Sequence, residues 1–362
     1  MKIGIVTLGG YENHGNRLQN AALVKILRDD FGVDAQTIPN WGNVREVYQI
    51  HNLKNLLGFI KNVNVNYFIF RKRLSSFITF SDKFSHEYKP TNQSRSLQVD
   101  DKDFDKIIVG SDQVWAQWFG ADELGYFLLK GVPNAKRYSY AASMGNPSYE
   151  GDCLRVFNEE ISKFAGVSVR EEIGSKYISK ILGKNIPVVL DPTMLLTGDQ
   201  WKALLSEMTD NFHGKKKYVF TYFLSRPSKK MREICDVLRD KGYSIVNFNS
   251  LRIDERKYFS MGPENFVFGI SHASAVLTDS FHASVFSILF KIPFLVDSGR
   301  LEGKMSARID TLLENNALET RRLSNDSSIN DLWNVDYDLA HSLLSKRRIE
   351  SIQYIRDSII HQ

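Results

Sequence analysis

The sequence predicts an α/β protein of two domains, each built on a mostly parallel sheet. Three observations carry this. The chain has 362 residues, so two domains of roughly 150 to 190 residues each are the natural division. Its composition, 43% hydrophobic and 25% charged, is that of a globular chain with enough apolar residues for a core in each. Short runs rich in Val, Ile and Tyr alternate with stretches of helical periodicity, the pattern of strand–helix units joined by crossovers.

The first series of strands is expected in "KIGIVTL", "DKIIVG", "RYSYAAS", "GVSVR" and "IPVVLD", and the second in "KYVFTYFL", "YSIVNF", "SAVLTD" and "IPFLV". Helical periodicity falls between them, over 16–31, 152–164, 172–182, 228–241, 264–272, 281–290 and 305–315. The stretch "LDPTMLLTGDQW", with Pro192 and Gly198, separates the two series and reads as a linker. This gives domains over 1–195 and 196–335. A long amphipathic helix over 336–360 then either completes the second domain or, as part of a terminal piece 336–362, crosses back to the first.

Charge and motif content narrow the function. A net charge of +5, spread along the chain, permits anionic partners, but no nucleic-acid-binding motif accompanies it. No apolar run reaches the roughly 18 residues of a membrane-spanning helix. The opening "MKIGIVTLGG" reads as a first strand and not as a signal peptide, so a cytoplasmic protein is expected. Cys153 and Cys235 stand alone, without CxxC or Cys–His clustering, and neither a metal centre nor another cofactor is expected. One segment, "KNLLGFIKNVNVNYFIFRKRLSSF", sets Arg71, Lys72 and Arg73 among aromatic and aliphatic residues. It suits peripheral contact with an anionic membrane, a dimer contact, or a packed helix with a solvated basic face. It fixes no oligomeric state.

Ligands of open parallel sheets sit beyond the carboxyl ends of the strands, so motifs just after strands are the candidates. After the first comes "GGYENHGNRLQNAAL", where Gly9, Gly10 and Gly15 suit close approach of an anion to a helix start. It is neither a Walker loop nor a GxGxxG fingerprint. Asn16, Gln19 and Asn20 share one helix face, and three amides together suit a hydroxyl-rich ligand if they are not simply a solvated polar face. In "VGSDQVWAQWF", Ser111 and Asp112 either cap a turn or, with Gln113 and two tryptophans, form a sugar platform.

Arg170 ends "GVSVR", where its planar fork either holds a carboxylate or phosphate or pairs with Glu171 or Glu172. "SAVLTDSFHASVFSILF" runs from an apolar strand into an apolar helix with Asp279, Ser280 and His282 at the join. A histidine in the first turn of so apolar a helix is either a hydrogen-bonded core residue or a proton carrier. Finally "SGRLEGKMSARIDTLL" offers Arg300, Lys304, Ser306 and Arg308 at the same edge, with Lys304 preferred as an anion ligand.

Taken as an ordered set, "HGNRLQNAAL", "GSDQVW", "SYAASMG", "VSVREEIGSKYI", "VLDPTMLL" and "GPENFVFGISHASAVLTDSFHASVFSILFKIPF" resemble the polysaccharide pyruvyl transferase family. The resemblance implies two Rossmann-like domains in a glycosyltransferase-B-like pair, with an interdomain cleft. It also implies transfer of the enolpyruvyl group of phosphoenolpyruvate, as co-substrate, to a sugar or lipid-linked oligosaccharide acceptor. His282 would be the catalytic acid or base and Arg170 the donor's anion ligand, with Asp279 and Ser280 beside the donor. Some members carry an arginine where this chain has Ser280, so one anion contact is missing or supplied elsewhere, Lys304 being the candidate. Asn16, Gln19, Asn20, Asp112 and Gln113 would face the acceptor. The competing readings are a nucleotide-sugar glycosyltransferase of the same architecture and a non-catalytic carbohydrate-binding protein.

Overall fold

The computed structural model describes residues 1–10, 13–39, 65–88, 99, 101–145, 147–206, 217–252, 255–297 and 306–361. Two four-stranded sheets organise them. The first contains β1 (Lys2–Val6), β2 (Asp34–Thr37), β3 (Lys106–Val109) and β4 (Arg137–Ser139), in the order β2-β1-β3-β4. The second contains β5 (Tyr218–Tyr222), β6 (Ser244–Asn247), β7 (Ala275–Thr278) and β8 (Phe294–Val296), in the order β6-β5-β7-β8. Every pairing is parallel, and both sheets repeat one topology. The α/β class and the two Rossmann-like sheets are therefore as the sequence implies.

In each sheet the chain goes outward from the first strand on one side and then returns to pair on the other. The switch points lie between β1 and β3 and between β5 and β7, where loops diverge and leave room for a ligand.

Strand alternation divides the core. Ile3, Ile5 and Ile108 of the first sheet share one apolar cluster with Tyr218, Phe220, Val276, Phe294 and Val296 of the second, so a single core joins the two units. Val6, Ile107 and Val109 face a second cluster on the other side of the first sheet. Val219, Ala275, Leu277 and Leu295 face a third beyond the second sheet.

Two helices fill the seam. α1 (His14–Asp29) is capped by Asn13, whose side chain accepts from the Asn16 N–H, and is buried along nearly its whole length. α2 (Val65–Phe84) runs through the basic aromatic segment, where Arg73 is buried while Phe68, Phe70, Arg71 and Lys72 are exposed.

"GVSVR" and "IPVVLD" do not form ladder strands. They extend the β4 edge only through single bridges, Tyr138 to Gly166, Ala142 to Val169 and Val169 to Val188. The reason lies in two serines. Ser139 Oγ donates to Ser168 O at 3.0 Å, and Ser168 Oγ donates to Ser139 O at 3.0 Å. These side-chain bonds occupy backbone groups that a continuous ladder would use.

The second unit presents α9 (Pro263–Ser271) and α10 (Phe281–Leu289) to the seam. Every residue of α10 is buried, and its hydroxyls are satisfied inside the helix, Ser284 Oγ on Ser280 O and Ser287 Oγ on Ala283 O. The last long helix, α13 (Tyr337–Tyr354), starts against the second unit, where His341 Nε2 meets Ile288 O at 2.7 Å. Its other end reaches the first unit: Ser351 Oγ accepts from Leu190 N at 3.0 Å, and Tyr354 OH donates to Ser139 O at 3.2 Å. The helix thus ties one unit to the other. Among the described residues no helix is long and apolar enough to cross a membrane.

Candidate functional site

The carboxyl ends of β1, β3 and β7 meet at the seam, and the side chains gathered there centre on two carboxylates. Asp112 follows β3 in the left-handed backbone region, at φ 68°. Its Oδ2 accepts from Asn16 Nδ2 at 3.3 Å, and its Oδ1 accepts from the Gln113 N–H at 2.9 Å. Asn16 is itself oriented by Arg17, whose Nη2 donates to Asn16 Oδ1 at 2.7 Å and to Leu8 O at 2.6 Å. Asp191 lies in the stretch expected to be a linker. It caps a short turn, Oδ1 accepting from Thr193 N at 3.0 Å and Thr193 Oγ1 at 2.6 Å. Its Oδ2 accepts from Arg170 Nη1 at 2.6 Å and Ser111 Oγ at 3.1 Å.

Arg170 links the carboxylates. Besides Asp191 it faces Asp112 (Nη2 to Oδ1, 3.7 Å) and Glu171 (Nε to Oε1, 3.6 Å), and its guanidinium stands 4.5 Å from the centre of the Phe281 ring. Beside it is Arg308, on α11 (Ser306–Glu314), with Nη1 3.6 Å from Asp112 Oδ1. The imidazole of His282, one residue after Phe281, completes the cluster, Nε2 lying 3.7 Å from Asp191 Oδ2. His282 is carried by the second unit, and Asp191 lies between the two sheets in the chain.

All these groups are buried, and their charges decide one another's state. Burial pushes the Asp112 carboxyl up, but Arg170, His282 and Arg308 together outweigh it and hold it below its usual value. Asp191 is held far lower, since the facing imidazole, Arg170 and Thr193 overcome its burial. Glu171 goes the other way: burial raises it despite Arg170 and despite the hydrogen bond it accepts from Ser143 Oγ. Burial lowers Arg170, but its three carboxylate neighbours more than reverse that and keep it charged.

Several buried atoms in the cluster have no hydrogen-bond partner: Arg170 Nε and Nη2, Arg308 Nε, His282 Nε2, Gln113 Nε2 and Glu171 Oε2. Unpaired buried polar groups are costly, and their concentration at a sheet's switch point, where open parallel sheets bind ligands, marks this cluster as the candidate site. Among the described residues no group of three or more His, Cys, Asp or Glu side chains is placed to hold a metal ion.

Of the residues expected from sequence, Asn16, Asp112, Arg170 and His282 come together, with Gln113 adjoining. Lys304 lies outside the described residues, as does Arg300. Gln19 and Asn20 are fully buried and engaged elsewhere. Gln19 accepts from Ser111 N at 3.1 Å and donates to Thr7 Oγ1 at 2.9 Å, fixing the loop that carries Asp112. Asn20 donates to Thr37 Oγ1 at 2.9 Å and ties α1 to β2.

Asp279 accepts from Leu224 N at 2.7 Å and from Ser225 N and Oγ at 2.9 and 2.7 Å, so its oxygens hold the loop after β5. Ser280 caps α10 through Ala283 N. Trp115 is core, its Nε1 donating to Phe127 O, whereas Trp118 is exposed. His14 opens α1 and is wholly buried, stacked on Phe266.

The sequence reading missed Asp191 as a member of the cluster and passed over Arg308. Each had a signal. Asp191 precedes Pro192 and Thr193, the order of a capped turn, just after an apolar run. Arg308 adjoins the apolar stripe Ile309, Leu312 and Leu313, whose helical phase turns the first turn inward.

Among solved structures the chain is similar to MnaA of S. aureus with UDP (14% identity, 99% of this chain and 98% of that one, TM-score 0.47). It is also similar to MurG of Acinetobacter baumannii (10% identity, 100% and 99%, TM-score 0.44) and to the E. coli heptosyltransferase WaaC with ADP (12% identity, 96% and 100%, TM-score 0.35). No curated protein matches the chain. The family model for polysaccharide pyruvyl transferase matches residues 13–296, a span that begins at the cap of α1, ends at the close of β8 and includes Asp112, Arg170, Asp191 and His282. By that match over most of its length, the chain belongs to the polysaccharide pyruvyl transferase family.

Proposed function

We propose that the protein transfers the enolpyruvyl group of phosphoenolpyruvate to a sugar of a cell-surface polysaccharide or its lipid-linked precursor, forming a pyruvate ketal and releasing phosphate. Family membership makes the chain a transferase of polysaccharide biosynthesis. The observation that carries the finer reading is the juxtaposition of Arg170, with two unpartnered guanidinium nitrogens, and His282, with an unpartnered Nε2, in one buried cluster. The first can hold the carboxylate or phosphate of the donor, and the second can pass a proton to it.

The chemistry balances on these groups. Protonated His282 delivers its proton to the methylene carbon, the double-bond electrons form the new C–H bond, and C2 becomes an oxocarbenium-like centre. A sugar hydroxyl attacks C2 and its proton returns to His282. The C2–O bond to phosphate then breaks as a second hydroxyl closes the ketal, and that hydroxyl's proton leaves with the phosphate. Arg170 stabilises the anionic groups as charge shifts between them. On this reading Asn16, Asp112 and Gln113 meet the acceptor, Lys304 remains a further donor ligand, and no resident cofactor takes part. On the same reading the reaction runs in the cytoplasm. The exposed Phe68 and Phe70 beside Arg71 and Lys72 on α2 support peripheral contact with the membrane that carries a lipid-linked acceptor.

The test is incubation with phosphoenolpyruvate and a panel of lipid-linked or nitrophenyl sugars, scored for phosphate release together with the mass gain of a ketal. Wild type should give both, and His282→Ala should lose roughly 10²- to 10⁴-fold in turnover. Transfer from a nucleotide sugar in place of phosphoenolpyruvate would replace this reading with a glycosyltransferase. Ligand binding without turnover, unchanged in His282→Ala, would replace it with a carbohydrate-binding protein.

A further inference from the structure

We propose that Arg308 is an additional cationic ligand of the donor, binding one of its oxyanion groups beside Arg170. The inference rests on the reading of the cluster as the donor site. α11 is anchored by Ile309, Leu312 and Leu313, all buried, and this fixes Arg308, its third residue, with the side chain directed inward and only 5% exposed. A guanidinium taken out of water needs charge and hydrogen bonds in return.

Arg308 has carboxylate charge nearby but little hydrogen bonding. Its contact with Asp112 Oδ1 is 3.6 Å long, an ion pair beyond hydrogen-bond reach, and Arg170 approaches the same oxygen at 3.7 Å. Asp191 adds favourable charge but no hydrogen bond, because Arg170, Ser111 and Thr193 already occupy its oxygens. Glu171 adds negative charge at longer range but makes no hydrogen bond to Arg308.

Two guanidiniums therefore share one carboxylate oxygen, and Arg308 Nε has no partner. Burial and the like charge of Arg170 push Arg308 down to about 10, which records the same imbalance. An incoming oxyanion removes it. It supplies negative charge where two cations face each other, and it presents acceptors spaced for the planar fork. Phosphate and carboxylate share this chemistry, and phosphoenolpyruvate carries both.

The experiment is calorimetric titration of wild type, Arg308→Gln and Arg308→Lys with phosphoenolpyruvate, inorganic phosphate and pyruvate, each variant first checked by circular dichroism. Arg308→Gln should bind phosphoenolpyruvate roughly 10- to 100-fold more weakly, the range for hydrogen bonds to a charged group. Arg308→Lys, which keeps the charge opposite Asp112 but loses the fork, should fall between. A parallel loss for inorganic phosphate assigns the contact to the phosphate, and one for pyruvate assigns it to the carboxylate.

A folded Arg308→Gln that binds phosphoenolpyruvate within about threefold of wild type overturns the inference and leaves the proposed function standing. If Arg308→Gln does not fold, undiminished binding by Arg308→Lys overturns it equally. Should wild type bind no phosphoenolpyruvate, the proposed function fails first. A loss of inorganic phosphate binding in the variants would then still support an oxyanion ligand at Arg308, whereas no binding of any of the three anions would end both.

Discussion

Gly15, the second residue of α1, and His282, the second residue of α10, occupy the same space from opposite units. A Cβ on Gly15 would stand 1.9 Å from His282 Nδ1 and 2.2 Å from its Cγ. The glycine is therefore the cavity into which the imidazole fits, and its role is close approach more than backbone freedom. Gly15→Ala should drive the ring or the helix from its place. Overpacking of this kind costs about 1–3 kcal/mol, and if His282 carries the proton as proposed, its displacement by about 1 Å should lower turnover by roughly 10². Urea unfolding and steady-state rates measure the two effects separately. Full turnover at unchanged stability would mean that the imidazole is not held where it is described.

Asp191→Asn keeps the shape of the side chain and removes the charge that Arg170 and His282 face. Loss of one partner from a buried pair costs about 3–5 kcal/mol. Asp191 and Asp112 are both held below the usual carboxylate range in the folded protein. Their stabilisation is thus fully present above the unfolded value of about 4 and is lost as pH falls through the folded values. The stability gap between wild type and Asp191→Asn should accordingly be largest at neutral pH and narrow on acidification below about 4. A gap constant with pH would show that the charge contributes nothing.

Much of this site was legible because parallel sheets put chemistry at strand ends. Arg170, Asp112 and His282 each stand just after an extended apolar run, and that placement alone singles them out. Asp191 was hidden because Pro192 makes its surroundings look like punctuation between domains. Gln19 and Asn20 were misplaced for a different reason. Their spacing on one helix face was read correctly, but α1 is buried on every side between the units. Polar residues there answer buried threonines and a loop N–H, not a ligand. Long-range burial of that sort has no local periodic signal. Nor could the strand-like "GVSVR" reveal that Ser168 and Ser139 would replace its ladder bonds with side-chain ones.

His14 reports on the seam itself. Its ring stacks on Phe266 and lies near Phe77, Tyr222 and Phe248, with Nε2 3.2 Å from Met261 O. Burial, and then the charge of Arg73, hold its imidazole well below 6.5. The unfolded chain therefore takes up a proton first as pH drops. The stabilisation is complete above about 6.5 and is lost progressively toward the folded value, at up to about 1.4 kcal/mol per pH unit. Urea unfolding at pH 7.5 and 5.5 should show this loss in wild type and a smaller one in His14→Phe. Equal losses in the two proteins would locate the titration elsewhere.

Asp279 separates architecture from chemistry. Sequence position places it three residues before His282, beside the donor of the proposed reaction, yet its oxygens are taken by Leu224 N, Ser225 N and Ser225 Oγ. Asp279→Ala would take the acceptor from those loop donors, which are half-buried to exposed and can turn to water, at about 0.5–1.5 kcal/mol for each bond lost. It removes nothing that faces Arg170 or His282. The unfolding midpoint should fall clearly, while the affinity for phosphoenolpyruvate changes by less than about threefold. A donor ligand would give the reverse, a large loss of affinity at nearly unchanged stability. Comparing both quantities in one variant thus decides whether the loop after β5 is held in place by Asp279 or the donor is.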